Sequence, residues 1–275
     1  MEALLAQLES VRGDPGANAE RAVAALDEQR GVEFALFPEL FLSAYDLDAL
    51  DATAVSADGQ ELAAVAAAAA RARTAVVIGF AERLPSGEVA NSAACIDRDG
   101  TVAAVYRKTL LFGHEREVFR PGLELRLVPL AARAVAPIIC FDVEFPEPAR
   151  ALAVAGAELL VTVSANMDPY RDEHELATRA RALENRLPHL YVNAVGTIGN
   201  NRFVGFSRSV GPSGEVLAQA GGEEELLVVP VGEPRAAAEV DYLRQLPKSP
   251  PVVVQQRSHA RESATGETKE ATCPT

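Results

Sequence analysis

Cysteine is scarce in this chain: Cys95, Cys140 and Cys273 are the only three among 275 residues. An odd, widely spaced set offers no disulfide framework, and no C-x-x-C pair supplies half of a zinc site. Any cysteine with a chemical role therefore acts alone. Histidine is also sparse, and His114, His174, His189 and His259 match neither H-E-x-x-H nor a paired-ligand spacing, so no metal is expected. Basic residues are outnumbered, 26 Lys and Arg against 39 Asp and Glu, and the formal net charge of −13 argues against a grip on nucleic acid. No apolar run reaches the roughly 18 to 20 residues that span a bilayer. The opening stretch MEALLAQLES lacks the basic and apolar regions of a signal peptide. The expectation is a soluble, cytoplasmic protein with neither membrane nor nucleic acid as partner.

What is present, 48% apolar and 24% charged residues, suffices for one large core. Apolar runs at 3–8, 34–37 and 75–80 read as strands, separated by helix-like stretches at 18–29 and 60–73. Turn signals at Pro85-Ser86-Gly87 and Arg98-Asp99-Gly100 flank runs 90–96 and 102–106, an antiparallel meander. The second half repeats the rhythm with strands at 135–140, 159–163 and 190–195 and helices at 146–155 and 173–185. Further strands follow around 203–210 and 216–219. Two βα-rich halves joined by meanders suggest stacked mixed sheets covered by helices. From Leu246 the composition turns to Pro, Ser, Thr, Glu and Gln, so residues 1–245 are expected as one domain and 246–275 as a flexible or partner-ordered tail.

Three fragments carry chemistry. Cys140 closes the apolar run PIIC and is followed by FDVEFPEPAR, which starts a helix within a few residues. A thiol at such an elbow is held rigidly, and nearby amide N–H groups can lower its pKa and stabilise an oxyanion. The competing reading is a small hydrophobe in a core strand. Glu39, in LFPEL, is framed by apolar residues; it is either a desolvated general base or a helix N-terminal acid satisfied by backbone donors. In AVYRKTLLFGHE the strand period sets Lys108 and Arg107 on opposite faces, so one of them points inward unless both are solvated. An inward ammonium needs a carboxylate, and Glu39 and Glu115 are the candidates.

Together these fragments resemble the nitrilase superfamily of carbon-nitrogen hydrolases. LFPEL around Glu39, YRK ending at Lys108, E-x5-PG from Glu115 to Gly122, and CFDVEFPE from Cys140 to Glu147 follow one another in that family's order. ARALAVAGAELL, RALEN and the VNAVG run agree as well, so the resemblance covers roughly residues 3 to 232. It implies a four-layer α-β-β-α sandwich, two mixed sheets flanked by helices, in protomers that pair into a homodimer or larger homo-oligomer. It also implies a triad without cofactor: Glu39 as general base, Lys108 as oxyanion cation and Cys140 as nucleophile, with Glu115, in preference to Glu117, as the second glutamate. The backbone N–H of Phe141 would join Lys108 at the oxyanion. Leu110 departs from the histidine many members carry there, and the chain after about Pro234 matches poorly.

The expected reaction is hydrolysis of a small aliphatic amide to a carboxylic acid and ammonia through a Cys140 thioester. The alternatives are nitrile or N-carbamoyl hydrolysis with the same triad, or an inactive binding protein of the same fold. Glu144 is expected to face a cationic or hydrogen-bond-donating part of the substrate, or else to cap a helix. Tyr45, Asn166 and Met167 are candidate pocket walls, with packing roles as the other reading. A Cys-His hydrolase would need a histidine at the site, and His114 is the only one near a motif.

Overall fold

A computed structural model describes residues 1–234 and 242–243; the expected tail from 246 onward, with Cys273 and His259, lies outside the described residues. The chain begins β1 (Glu2–Gln7), α1 (Pro15–Glu28), β2 (Phe34–Phe37), α2 (Leu50–Thr53), α3 (Gln60–Ala72) and β3 (Ala75–Arg83). A meander of β4 (Val89–Ile96) and β5 (Val102–Arg107) follows, then the single turn α4 (Glu115–Val118). Next come β6 (Val128–Leu130), β7 (Arg133–Ile139), α5 (Pro146–Val154), β8 (Leu159–Ser164), α6 (Arg171–Asn185) and β9 (His189–Asn193). A hairpin of β10 (Val195–Ile198) and β11 (Asn201–Val204) precedes β12 (Arg208–Val210), β13 (Val216–Gln219) and β14 (Glu225–Pro230).

Two six-stranded sheets result, ordered β14-β1-β2-β3-β4-β5 and β13-β12-β9-β8-β7-β6. Strands β1–β3 run parallel, as do β7–β9, and the outer strands are antiparallel, so both sheets are mixed. Side-chain alternation assigns the layers. Leu4 and Ala6 of β1, with Ala35 and Phe37 of β2, pack under Ala22 and Leu26 of α1 and Leu62 and Val65 of α3. Their neighbours Ala3, Leu5, Phe34 and Leu36 point the other way, against Val135, Leu159, Val161 and Leu190 of the second sheet. That sheet's outer face, through Ala136, Ile138 and Leu160, meets Leu152 of α5 and Ala177 of α6. The architecture is the four-layer α-β-β-α sandwich. Burial on both faces explains why the central strands read as continuous apolar runs rather than alternating ones.

Several boundaries are corrected. α1 starts at Pro15 rather than at Asn18, because Asp14 caps it by accepting from the Ala17 N–H and proline suits the first turn. The single strand expected around 203–210 is two, β11 and β12, broken where Gly205 and Phe206 both adopt positive φ. The run 190–195 likewise ends at Asn193 before β10 begins. Cys140 is not the last residue of β7; it opens a 3-10 turn, Cys140–Glu144.

One glycine fixes where the loop after β2 can sit. The loop after β2 rests directly on β3: the Gly79 N–H donates to Pro38 O, and the Leu42 N–H donates to Gly79 O. A Cβ on Gly79 would lie 2.4 Å from Pro38 O and 2.6 Å from the Glu39 Cα. Gly79→Ala is therefore expected to cost about 1–3 kcal/mol by urea unfolding. Because it displaces Glu39, it should also lower turnover by about a hundredfold. Wild-type turnover in a destabilised Gly79→Ala protein would detach this loop from the chemistry.

Candidate active site

The carboxyl ends of β2, β7 and β8 and the end of β5 converge at one rim of the sandwich, the position where α/β sheets offer side chains to a ligand. Glu39 follows β2 by two residues. Its backbone N–H donates to Ser164 O on β8, which ties the loop to the opposite sheet. Lys108 directly follows β5 and is held by backbone bonds to Asn91 O and from the Gly122 N–H. Cys140 directly follows β7 with φ at +44°, a left-handed elbow that is unusual for a non-glycine residue and costs about 1–3 kcal/mol. Asp142 secures that elbow. Its Oδ2 accepts from the Ile139 N–H and Tyr106 O–H, and its Oδ1 from Thr109 Oγ1 and the Leu110 N–H, so one carboxylate fastens the cysteine turn to the lysine strand.

The centre is an ion triad shut away from water. Lys108 Nζ donates to Glu39 Oε1 at 2.7 Å and to Glu115 Oε1 at 2.9 Å, and all three side chains are fully buried. The remaining carboxylate lone pairs are supplied with donors: Asn91 Nδ2 at 2.7 Å and the Ala165 N–H for Glu39, Tyr45 O–H and the Phe112 N–H for Glu115. Asn91 Nδ2 also lies 3.3 Å from Glu115 Oε1. Burial pushes the Glu39 carboxyl above its ordinary value, Glu115 adds to this, and Lys108 opposes it. For Lys108 burial alone would favour the neutral amine, but the two carboxylates outweigh it and hold the ammonium well above its usual range. Cys140 is a partly exposed thiol pushed well up by burial and by the charge on Glu39, with Lys108 pulling the other way. At rest these shifts favour a protonated thiol at Cys140 and an ammonium at Lys108.

A pocket with about 300 Å³ of empty space, its mouth included, opens onto this set. Lys108, Cys140, Phe141 and Glu144 line it, with Tyr45, Asn166 and Met167. The structure thus places Glu39, Lys108, Glu115, Cys140, Phe141, Glu144, Tyr45, Asn166 and Met167 in or beside one pocket. Two walls have further duties, since Tyr45 bonds Glu115 and the Asn166 side chain is committed to Tyr170 O and the Met167 N–H. Phe141 occupies the first turn of the 3-10 segment, where a helix leaves its N–H groups free of internal acceptors. Glu117 lies on the surface beside His114. His114 does not approach the site; the histidine that does is His174, which lines the pocket from α6 and meets Glu144 at 3.2 Å. Sequence proximity pointed to the wrong imidazole, because His174 arrives through the packing of α6 against β8 and β9. Asn91 and Asp142 were also missed; DVEFPE gave a signal for the second, whereas Asn91 looked like one polar residue in a strand.

A family model described as carbon-nitrogen hydrolase matches residues 3–237. An (R)-stereoselective amidase from a Pseudomonas species is 37% identical over 250 residues, 89% of this chain and 90% of that protein. A probable nitrilase from Schizosaccharomyces pombe is 34% identical over 69% of this chain and 71% of its own length. Among solved structures, an amidase from Nesterenkonia sp. superposes with a TM-score of 0.80 at 30% identity, covering 90% of this chain and 93% of that one. A glutamate-to-glutamine variant of the Nesterenkonia enzyme carries the acetamide moiety of fluoroacetamide on its active-site cysteine.

Proposed function

The chain belongs to the carbon-nitrogen hydrolase family, and from that premise we propose that it converts a small aliphatic amide into a carboxylic acid and ammonia, with Cys140 as nucleophile. The observation that carries this reading is the bridging of two buried carboxylates by Lys108 beside a thiol on a strained elbow. Glu39 takes the thiol proton, and the thiolate attacks the amide carbon. Lys108 and the Phe141 N–H hold the resulting oxyanion. As the C–N bond breaks, the nitrogen receives the proton from Glu39 and ammonia departs, leaving a thioester. Water positioned by Glu115 loses a proton to Glu39 and attacks the thioester; the acid leaves, and the proton returns to sulfur. A raised pKa improves Glu39 as a base near neutrality. Covalent addition of the acetamide moiety to the cysteine of the Nesterenkonia enzyme supports a cysteine as the nucleophile. A nitrile or N-carbamoyl compound would enter the same cycle, and the probable nitrilase among the relatives keeps the nitrile as the second reading.

Pocket charge argues for which amides enter. Lys108 is offset by Glu39 and Glu115, and Glu144 adds a further carboxylate at the wall, so a substrate with an anionic far end meets net negative charge. Glu144 would instead receive an ammonium or a neutral donor. A panel of amides assayed by ammonia release is expected to favour 5-aminopentanamide over glutaramate, and intact mass should show the acyl adduct in wild type and none in Cys140→Ala. Preference for glutaramate removes the Glu144 assignment; no ammonia from any amide or nitrile removes the hydrolytic reading.

Self-association is proposed on separate grounds. Val154 of α5 and Leu176 and Leu183 of α6 are exposed on the outer helical layer, an apolar surface suited to a second copy. Light scattering of Leu176→Lys should report a smaller species than wild type, and an unchanged mass rejects this face.

A further inference from the structure

Cys95 and Ala93 of β4 point between the sheets, and strand alternation puts Asn91 next in the same stripe. This asparagine is buried, plays no part in the cycle above, and bonds all three charged members of the centre. Its backbone carbonyl accepts from the Lys108 N–H at 2.8 Å. Its Nδ2 donates to Glu39 Oε1 at 2.7 Å and lies 3.3 Å from Glu115 Oε1, the same two oxygens that Lys108 Nζ bridges. Its Oδ1 is buried and accepts no hydrogen bond from any described residue. A buried acceptor left without a donor costs about 1–3 kcal/mol. Turning the amide over gives no relief, because Oδ1 would then face two carboxylates. The fold thus keeps an NH₂ group at this point although its oxygen goes unpaired, where a small apolar residue like its stripe neighbours would avoid the loss.

We propose that Asn91 is a positioning residue for the base: it fixes Glu39 beside Lys108 and leaves Oε2 as the oxygen that receives the thiol proton. A carboxylate oxygen offers two lone pairs. Both on Oε1 are taken, by Lys108 Nζ and Asn91 Nδ2, whereas Oε2 accepts only from the Ala165 N–H. When the S–H bond breaks, the new O–H bond therefore forms on Oε2. Lys108 cannot hold Oε1 alone through the cycle, because its ammonium is shared with Glu115 and is drawn to the oxyanion during attack. The amide is neutral and has no such second task. The charged and titratable groups around it are Glu39 from the loop after β2, Glu115 of α4 and Lys108 after β5, with Tyr45 and Cys140 beyond them. Burial foremost pushes the Glu39 carboxyl up; Lys108 pulls it down, Glu115 adds to the rise, and the Asn91 hydrogen bond favours the carboxylate. Removing the amide should make Glu39 easier to protonate.

This role deepens the proposed mechanism and rests on Glu39 as its base, but its test needs no substrate. The probe is iodoacetamide, with the Cys140 adduct assigned by peptide mapping and its rate of formation followed against pH. In wild type, alkylation should fall along an acid limb as Glu39 is protonated. Asn91→Leu keeps the branching of the side chain and removes both the donor and the unpaired oxygen. Its limb is expected to move to higher pH, with alkylation about tenfold slower than wild type on the acid side and within a small factor of it above the limb. Asn91→Ala should show the same displacement if leucine perturbs folding. Added to Glu39→Gln, Asn91→Leu should slow alkylation no further, because the amide acts through the carboxylate. A limb that stays in place, a loss equal at every pH, or losses that multiply in the double variant would make Asn91 a packing residue and overturn the assignment alone. A wild type without the limb would overturn it together with Glu39 as base. Failure of every amide to release ammonia would defeat the proposed function and leave this comparison standing.

Discussion

Replacing Lys108 with methionine is expected to lower the free energy of unfolding by about 3–5 kcal/mol at neutral pH and to abolish turnover. Methionine fills much of the same volume, so the loss is one of charge rather than packing. Lys108 is 1% exposed, and the Glu39 and Glu115 side chains are buried with it. The neutral donors around them satisfy lone pairs but cannot neutralise two carboxylates facing one another across the vacated ammonium position. The pH dependence distinguishes this from an ordinary core defect. Without the cation, the folded carboxylates hold protons at higher pH than they do in the unfolded chain, so the folded state binds more protons and stability recovers as pH falls. In wild type the Lys108 pKa is raised, so its contribution is fully present below the ordinary lysine pKa and is lost only as pH rises through the folded value. Chemical denaturation at several pH values should therefore show a deficit that shrinks toward acid in Lys108→Met. A deficit independent of pH would mean that the triad's charge does not carry the stability argued here.

Glu39, Lys108 and Cys140 were legible because each sits just past the end of a strand, where a charged or nucleophilic group is costly unless it is used; Glu115, on the single turn α4, was marked by its spacing to Pro121. Their common destination followed from the resemblance; the spacing of single fragments left packing roles open. Cys95 shows the difference. It too sits in an apolar strand, yet it lies between the sheets with its thiol pushed up to about 12 by burial, and the small-hydrophobe reading belongs to it. What stayed hidden depends on pairing far along the chain. β14 follows Gly221-Gly222 and a run of glutamates that reads as a loop, and it becomes a strand by pairing antiparallel with β1 at the other end of the described domain. Three-residue β6 offers too little pattern to distinguish it from a turn, and pairing with β7 defines it. Asn91 and His174 acquire meaning only when β4 and α6 bring them to Glu39 and to Glu144, a matter of tertiary register that no local window contains.

Glu39→Gln should reduce kcat by about 10² to 10⁴ while leaving KM for a neutral amide within a small factor. Three donors converge on the Glu39 carboxylate: Asn91 Nδ2 and Lys108 Nζ on Oε1, and the Ala165 N–H on Oε2. A glutamine oxygen can serve the first two, but its NH₂ then faces the Ala165 N–H, donor against donor. That mismatch is expected to cost about 1–3 kcal/mol of stability, so kinetics belong well below the melting temperature of the variant. The pH profile supplies the discriminating readout. In wild type the rate should fall as acid protonates Glu39, along a limb above the usual carboxylate range because burial raises this group. Glutamine has no proton to gain, so the variant should lose that limb as well as its rate, whereas simple misplacement of the loop would lower the rate and leave the limb where it was. A variant that keeps kcat within tenfold of wild type and the same acid limb would transfer the base role to another group.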